Sequence, residues 1–122
     1  MSQEHVLMSI TKEAAADLSA KKYYCIAQDA NGKAALASSA TAKGNLGILQ
    51  NKPASGEAAN IAVLGTSKAI LGGTVDEGDQ LTTDANGKLI ATTSAGDFVV
   101  AEALEAGVLN DIAEVRLVKY RY

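Results

Sequence analysis

The chain has 122 residues, near the usual size of one domain, and a net charge of −3 with its lysines and arginines scattered. No basic field is present to neutralise phosphates, so nucleic-acid binding is disfavoured. Hydrophobic residues make up 48% and aromatic residues only 4%, much of the apolar content being alanine. At about 25 cal/mol per Å² of buried apolar surface such a core gains limited stability, which favours further burial through subunit contacts.

In chain order, the first five residues carry no Lys or Arg ahead of a short apolar patch, and no run of 18 apolar residues occurs. The expectation is cytoplasmic synthesis without a membrane anchor. His5, Val6, Leu7, Met8 and Ile10 are apolar enough to dock on a surface, so residues 1–15 read as an N-terminal arm or edge strand. Residues 16–122 read as a single β domain. The one helical candidate covers residues 11–21, where Lys12, Glu13 and Ala14 to Ala16 have good propensity but Leu18 is the only large apolar anchor. A competing reading makes residues 6–11 a strand or arm and residues 15–22 a connector. Tyr23 and Tyr24 are adjacent and on a strand would point to opposite faces. Cys25, the only cysteine, lies in an apolar run and reads as a buried, inert thiol with no disulfide or CxxC chemistry.

The strongest signal is a repeat: Asp29-Ala30-Asn31-Gly32-Lys33 recurs as Asp84-Ala85-Asn86-Gly87-Lys88. Asn-Gly between extended segments marks a hairpin, through a primed turn or a type I turn closed by a glycine bulge. The hairpin turns are therefore assigned to Asn31, Gly32, Asn86 and Gly87. Each is followed by a second strand–turn–strand pattern, first Gly47-Ile48-Leu49 with Ile61-Ala62-Val63-Leu64, later Val99-Val100-Ala101 with Ile112 to Leu117. Pro53 lies in a loop of the first pattern. Ile61 and Val63 are expected to face inward, and Val115 and Leu117 alternate with Glu114 and Arg116 in the period of a half-buried strand. Between the halves, Ala69-Ile70-Leu71 reads as a short buried strand, followed by a glycine-rich loop into Gln80-Leu81-Thr82-Thr83. The fold class is all-β: a small β-barrel or sandwich of short strands in two related hairpin-containing halves, with the one helical candidate. At the end, Tyr120, Arg121 and Tyr122 combine aromatic and cationic groups and form a candidate interface.

Catalytic equipment is missing from this pattern. The single histidine, His5, stands near a terminus, where a positioned base for Ser-His-Asp or Cys-His chemistry is not expected. The Asp-x-Asn-Gly turns resemble the start of an EF-hand loop, but its twelfth position is Ala40 or Ala95 in place of a bidentate acid. Neither Gly32-Lys33 nor Gly87-Lys88 is followed by the hydroxyl residue that a phosphate-binding loop requires. Asp76, Glu77 and Asp79 form the densest acidic cluster and read as a solvated loop. No catalytic, cofactor-binding or metal residue is assigned, and the expectation is a protein that is not an enzyme.

An ordered set of segments resembles a known family. The run Ala16-Asp17-Leu18-Ser19-Ala20, the first Asp-Ala-Asn-Gly turn, the block from Gly47 through Pro53 to Ala58, the glycines Gly72, Gly73 and Gly78 and the second turn together resemble the phage capsid cement, or head-decoration, family. The likeness spans residues 17–117. It implies a small β-barrel-like protein, trimeric, on the outer surface of a virion head at three-fold and quasi-three-fold positions. There it would clamp the major capsid protein of a tailed phage through an N-terminal arm, and two similar halves per chain would give a trimer six comparable modules. The alternative reading is a small β-sandwich module that binds carbohydrate or another ligand, which needs an exposed aromatic platform.

Overall fold

Both Asp-Ala-Asn-Gly-Lys segments close hairpins by one mechanism in the computed structural model, which describes residues 5–122. The Asp29 carboxylate accepts hydrogen bonds from the backbone N–H groups of Asn31 and Lys33, both at 2.9 Å. Asp84 does the same for Asn86 and Lys88, at 2.8 and 3.0 Å. A short acceptor at the first turn position thus satisfies two donors that the reversal leaves unpaired. Gly32 and Gly87 follow at φ +76° and +78°, a region that costs glycine little.

The described residues form nine strands and no helix: β1 (His5–Glu13), β2 (Cys25–Gln28), β3 (Ala34–Leu36), β4 (Asn45–Leu49), β5 (Ala58–Ile70), β6 (Gln80–Thr83), β7 (Leu89–Ala91), β8 (Phe98–Ala103) and β9 (Ile112–Arg121). The two hairpins are β2–β3 and β6–β7, and each continues into two longer strands. The duplication is repeated in register. Ile26 opposite Leu36 recurs as Leu81 opposite Ala91, and Cys25 opposite Ile48 recurs as Gln80 opposite Glu102. Ile48 opposite Ala62 recurs as Glu102 opposite Arg116, and Thr11 opposite Asn60 as Lys68 opposite Glu114. Loop hydrogen bonds follow suit: Leu18 donates to the Pro53 carbonyl as Val75 does to that of Gly107. Even the unusual backbone recurs, Tyr23 at φ +74° matching Gly78 at +87°.

The last strand of the first unit is also the first strand of the second. Residues 58–66 of β5 pair with β1 on one edge, and Ile61 and Ala62 pair with β4 on the other. Residues 65–70 then pair with β9. Gly65 stands at the handover with φ +101°, and a Cβ there would sit 2.3 Å from the carbonyl oxygen of His5. The resulting order β3-β2-β4-β5-β9-β8-β6-β7, with β1 beside β5, is antiparallel between its named strands and curls around one main core. That core joins Cys25 and Ile48 of the first unit to Leu81, Leu89, Val100 and Val115 of the second. Alternation in β9 is as expected, Val115 and Leu117 being buried and Arg116 exposed, while in β5 Ile61 is buried and Val63 half-buried.

One open choice is decided and one expectation is corrected. Residues 11–21 are not helical and follow the competing reading of a strand and then a connector: Thr11 to Glu13 end β1, Ala14 bridges Ala34, and the rest is a connector. An isolated helix of that length is marginal in water, whereas pairing with β5 satisfies the backbone and lets Ala14 and Leu18 enter a second apolar cluster with Ile26, Leu49 and Ile61. Nor is Ala69-Ile70-Leu71 a separate strand. Ala69 and Ile70 end β5, and Leu71 bridges Leu89.

The two hairpin turns share a conformation but not an environment. A Cβ on Gly32 meets nothing within 4 Å, whereas one on Gly87 would lie 2.5 Å from Leu36 Cδ1. Gly32→Ala is expected to cost about 1–2 kcal/mol, the penalty for a left-handed backbone with a side chain. Gly87→Ala adds an overpacking term of about 1–3 kcal/mol to the same penalty. Urea unfolding midpoints of the two variants check the ranking, and equal losses would contradict it.

Candidate interaction surface

Apolar side chains left outside the core mark where this protein can meet another surface. In β1, His5, Val6, Leu7 and Met8 are exposed, Leu7 at 68% and Met8 at 51%, while Ile10 turns inward onto the second cluster. The pairing of β1 with β5 slips between Val6 and Ser9, an irregularity that re-aims the side chains of a strand. Leu7 comes to lie beside Leu64 of β5 and Val118 of β9, in an open apolar groove with Thr66 and Arg116 among its walls. The sequence reading identified Leu7 but not its neighbours. Residues 1–4 of the expected arm lie outside the described residues.

The C-terminal candidates sit farther along β9. Tyr120 is paired opposite Val99 and its hydroxyl is hydrogen-bonded to the Gln80 side-chain oxygen, while Arg121 is paired opposite Phe98. Tyr122 donates to the Asp97 carbonyl at 2.7 Å and accepts from Gly96 at 3.0 Å. This end is stitched to β8 and its approach loop, and Tyr120, Arg121 and Tyr122 remain exposed. Of the turn residues, Asn31 and Asn86 are exposed, but Gly87 is buried and its carbonyl accepts from Cys25 N–H at 2.7 Å.

A second patch was missed. In the β8–β9 turn Val108 and Leu109 are 53% and 59% exposed, and Ile112, which opens β9, is 50% exposed. The duplication itself carries the signal that could have found them. In the matching β4–β5 turn Glu57 accepts from Ala54 N–H at 2.7 Å, just as Asp111 accepts from Val108 N–H at 3.0 Å. The same turn thus carries Ala54, Ser55 and Ala58 in one unit and Val108, Leu109 and Ile112 in the other.

The chemistry elsewhere is quiet. Asp79 accepts from Asp76 N–H at 2.9 Å and so caps its own acidic loop. Among the described residues no group of three or more His, Cys, Asp or Glu is placed to hold a metal ion. The rings of Tyr23 and Tyr24 are each covered by a lysine ammonium, Lys22 at 4.9 Å and Lys21 at 4.8 Å from the ring centres. Cys25 is wholly buried, and burial pushes its thiol up to about 12.

No family model and no curated sequence matches the chain. Among solved structures it is similar to the head fiber gp8.5 N base in bacteriophage phi29, with a TM-score of 0.70 and 19% sequence identity. The match covers 94% of this chain and 97% of that one. At this identity the likeness is one of fold.

The Cys25 thiol gives a pH signature. Its folded value is above the ordinary 9.0, so the stability it contributes is complete below about pH 9 and is lost as pH rises towards 12. Between pH 8 and pH 10 the wild-type chain is expected to lose on the order of 1 kcal/mol more than Cys25→Ala does, about one unit of unmatched ionisation. Urea titrations of both proteins at the two pH values measure this, and parallel losses would contradict a buried protonated thiol.

Proposed function

We propose that the chain is a non-enzymatic structural protein of a phage head, a decoration or cement protein bound to the outer surface of the capsid. The observation that carries this reading is the fold shared with the base of a phage head fiber over nearly the whole length of both chains. The residues agree with it: the chain's distinctive features are exposed apolar surfaces on paired strands, which suit attachment, not turnover. Its partner in this reading is the major capsid protein, met at three-fold and quasi-three-fold positions by a trimer. Many modest contacts around a closed ring multiply into firm attachment and hold neighbouring capsid subunits together.

Within residues 1–15, His5, Val6, Leu7 and Met8 are the capsid-facing contacts in this reading. Ile10 packs inward and supports the strand from below. Tyr120, Arg121 and Tyr122 supply aromatic and cationic area just beyond Val118 of β9, the neighbour of Leu7. The alternative of a carbohydrate-binding module loses its platform, because each ring of the Tyr23–Tyr24 pair has a lysine over it.

Co-sedimentation with undecorated heads tests the proposal. Saturable binding is expected, with Met8→Asp weakening it about tenfold or more, since a carboxylate must then be desolvated in an apolar contact. Calorimetry with simple sugars is expected to be silent. A chain that stays in the supernatant at every head concentration would overturn the reading.

A further inference from the structure

Asn31-Gly32 and Asn86-Gly87 are the two Asn-Gly pairs of the sequence, and each sits in the same pentapeptide, Asp-Ala-Asn-Gly-Lys. The backbone nitrogen after an asparagine can close a five-membered ring onto its side-chain amide carbon, and glycine, without a Cβ, hinders that approach least. The two turns share their local geometry. Each asparagine N–H donates to the aspartate carboxylate, at 2.9 and 2.8 Å, and each glycine N–H points at the aspartate carbonyl, at 3.1 Å in the first turn and 3.5 Å in the second. That closing bond must open in either turn before the ring can form, so the surroundings decide which turn reacts.

Those surroundings differ. Asn31 is exposed, a Cβ on Gly32 meets nothing within 4 Å, and Lys33 is tied by an exposed ion pair with Glu13 at 3.2 Å, a kind that restrains little. The second turn is held from outside. Gly87 is buried with Leu36 of β3 against it, its carbonyl accepts from Cys25 N–H at 2.7 Å, and the Lys88 ammonium donates to the Asn110 side chain at 2.6 Å. The first unit therefore clamps the turn of the second, and opening that turn requires the two units to part.

We propose that Asn31 is a site of spontaneous deamidation, while the fold protects Asn86 in the identical pentapeptide. The Gly32 nitrogen gives its proton to solvent and attacks the Asn31 amide carbon. A new nitrogen–carbon bond forms, the bond to the side-chain nitrogen breaks, and that nitrogen takes up a proton and leaves as ammonia. Water then adds to one carbonyl carbon of the succinimide. The ring opens to aspartate or, with the backbone rerouted through the side chain, to isoaspartate, and nothing is oxidised or reduced.

Isoaspartate lengthens the backbone by one carbon between the Asn31 and Lys33 N–H groups, which the Asp29 carboxylate now holds together, both at 2.9 Å. It also sets a second negative charge beside Asp29. The residues just beyond the turn anchor the end of β1: Ala34 bridges Ala14, and its carbonyl accepts from Ala15 N–H at 2.8 Å. Modification at Asn31 thus acts as a slow covalent clock that loosens the connector leaving β1.

The test incubates the full folded chain at mildly alkaline pH, digests it and separates the asparagine, aspartate and isoaspartate forms of both peptides by mass spectrometry. Asn31 is expected to convert about tenfold faster than Asn86 or more, the protection that a clamped segment gains over a locally opening one. In urea the two are expected to convert equally, since their pentapeptides are identical. Equal rates in the folded chain, a faster Asn86, or an Asn31 that persists after both sites have reacted in urea would each overturn the proposal. Leu36→Ala, checked for folding by circular dichroism, is expected to narrow the ratio, and an unchanged ratio would overturn the protection assigned to that contact. Hydrogen exchange on the isoaspartate fraction is expected to show faster exchange at Ala15 N–H, and unchanged protection there would overturn the link to β1.

Discussion

One strand, β5, carries the constraint on which the rest depends, because its thirteen residues close the first unit and open the second. Its first part is held between β1 and β4, its last part is laid against β9, and the handover falls at a glycine whose backbone no side chain would favour. Neither unit has aromatic bulk, and each alone would be too small and alanine-rich to bury enough surface. Sharing a strand lets both contribute to one core. Smaller ties reinforce it: Phe98 N–H donates to the Ala40 carbonyl at 2.7 Å, and the Lys119 ammonium donates to the carbonyls of Lys43 and Asn45 at 2.8 and 2.6 Å.

A duplicated frame also separates what folding needs from what the surface does. Positions that hold the turns and registers keep their interactions in both units even when the residue changes, as where Asp111 replaces Glu57 and Gly78 stands for Tyr23. The outward positions have diverged instead, with small residues on one turn and aliphatic residues on its counterpart. That division suits a protein whose work is done by surfaces, in which affinity accumulates over repeated contacts and no single group needs to be activated.

Much of the frame was legible in the sequence. The Asp-Ala-Asn-Gly-Lys turns announced both hairpins, since their side-chain and backbone requirements are local, and the alternation around Val115 and Leu117 gave the faces of β9. What lay outside local reach stayed open or was misread. Lys12 to Ala14 have the propensity of a helix, and only distant partners, β5 for the strand end and Ala34 for the bridge, decide for extended structure. Ala69 to Leu71 were read as an independent strand, while in the sheet the left-handed Gly65 allows β5 to pass through from Ala58 to Ile70. The exposed strand at His5 to Met8 was visible as an apolar run. Leu64, Val118 and the Val108–Leu109 turn were not, because their meaning appears only when the two units are superposed in register.

The reading of this chain as a surface protein of a phage head is tested most directly by a cryo-electron microscopy reconstruction of undecorated heads mixed with the purified chain. The account predicts added density on the outside of the shell at three-fold and quasi-three-fold positions, into which the shared-strand fold fits with β1 towards the capsid. A reconstruction in which the shell surface is unchanged would contradict it.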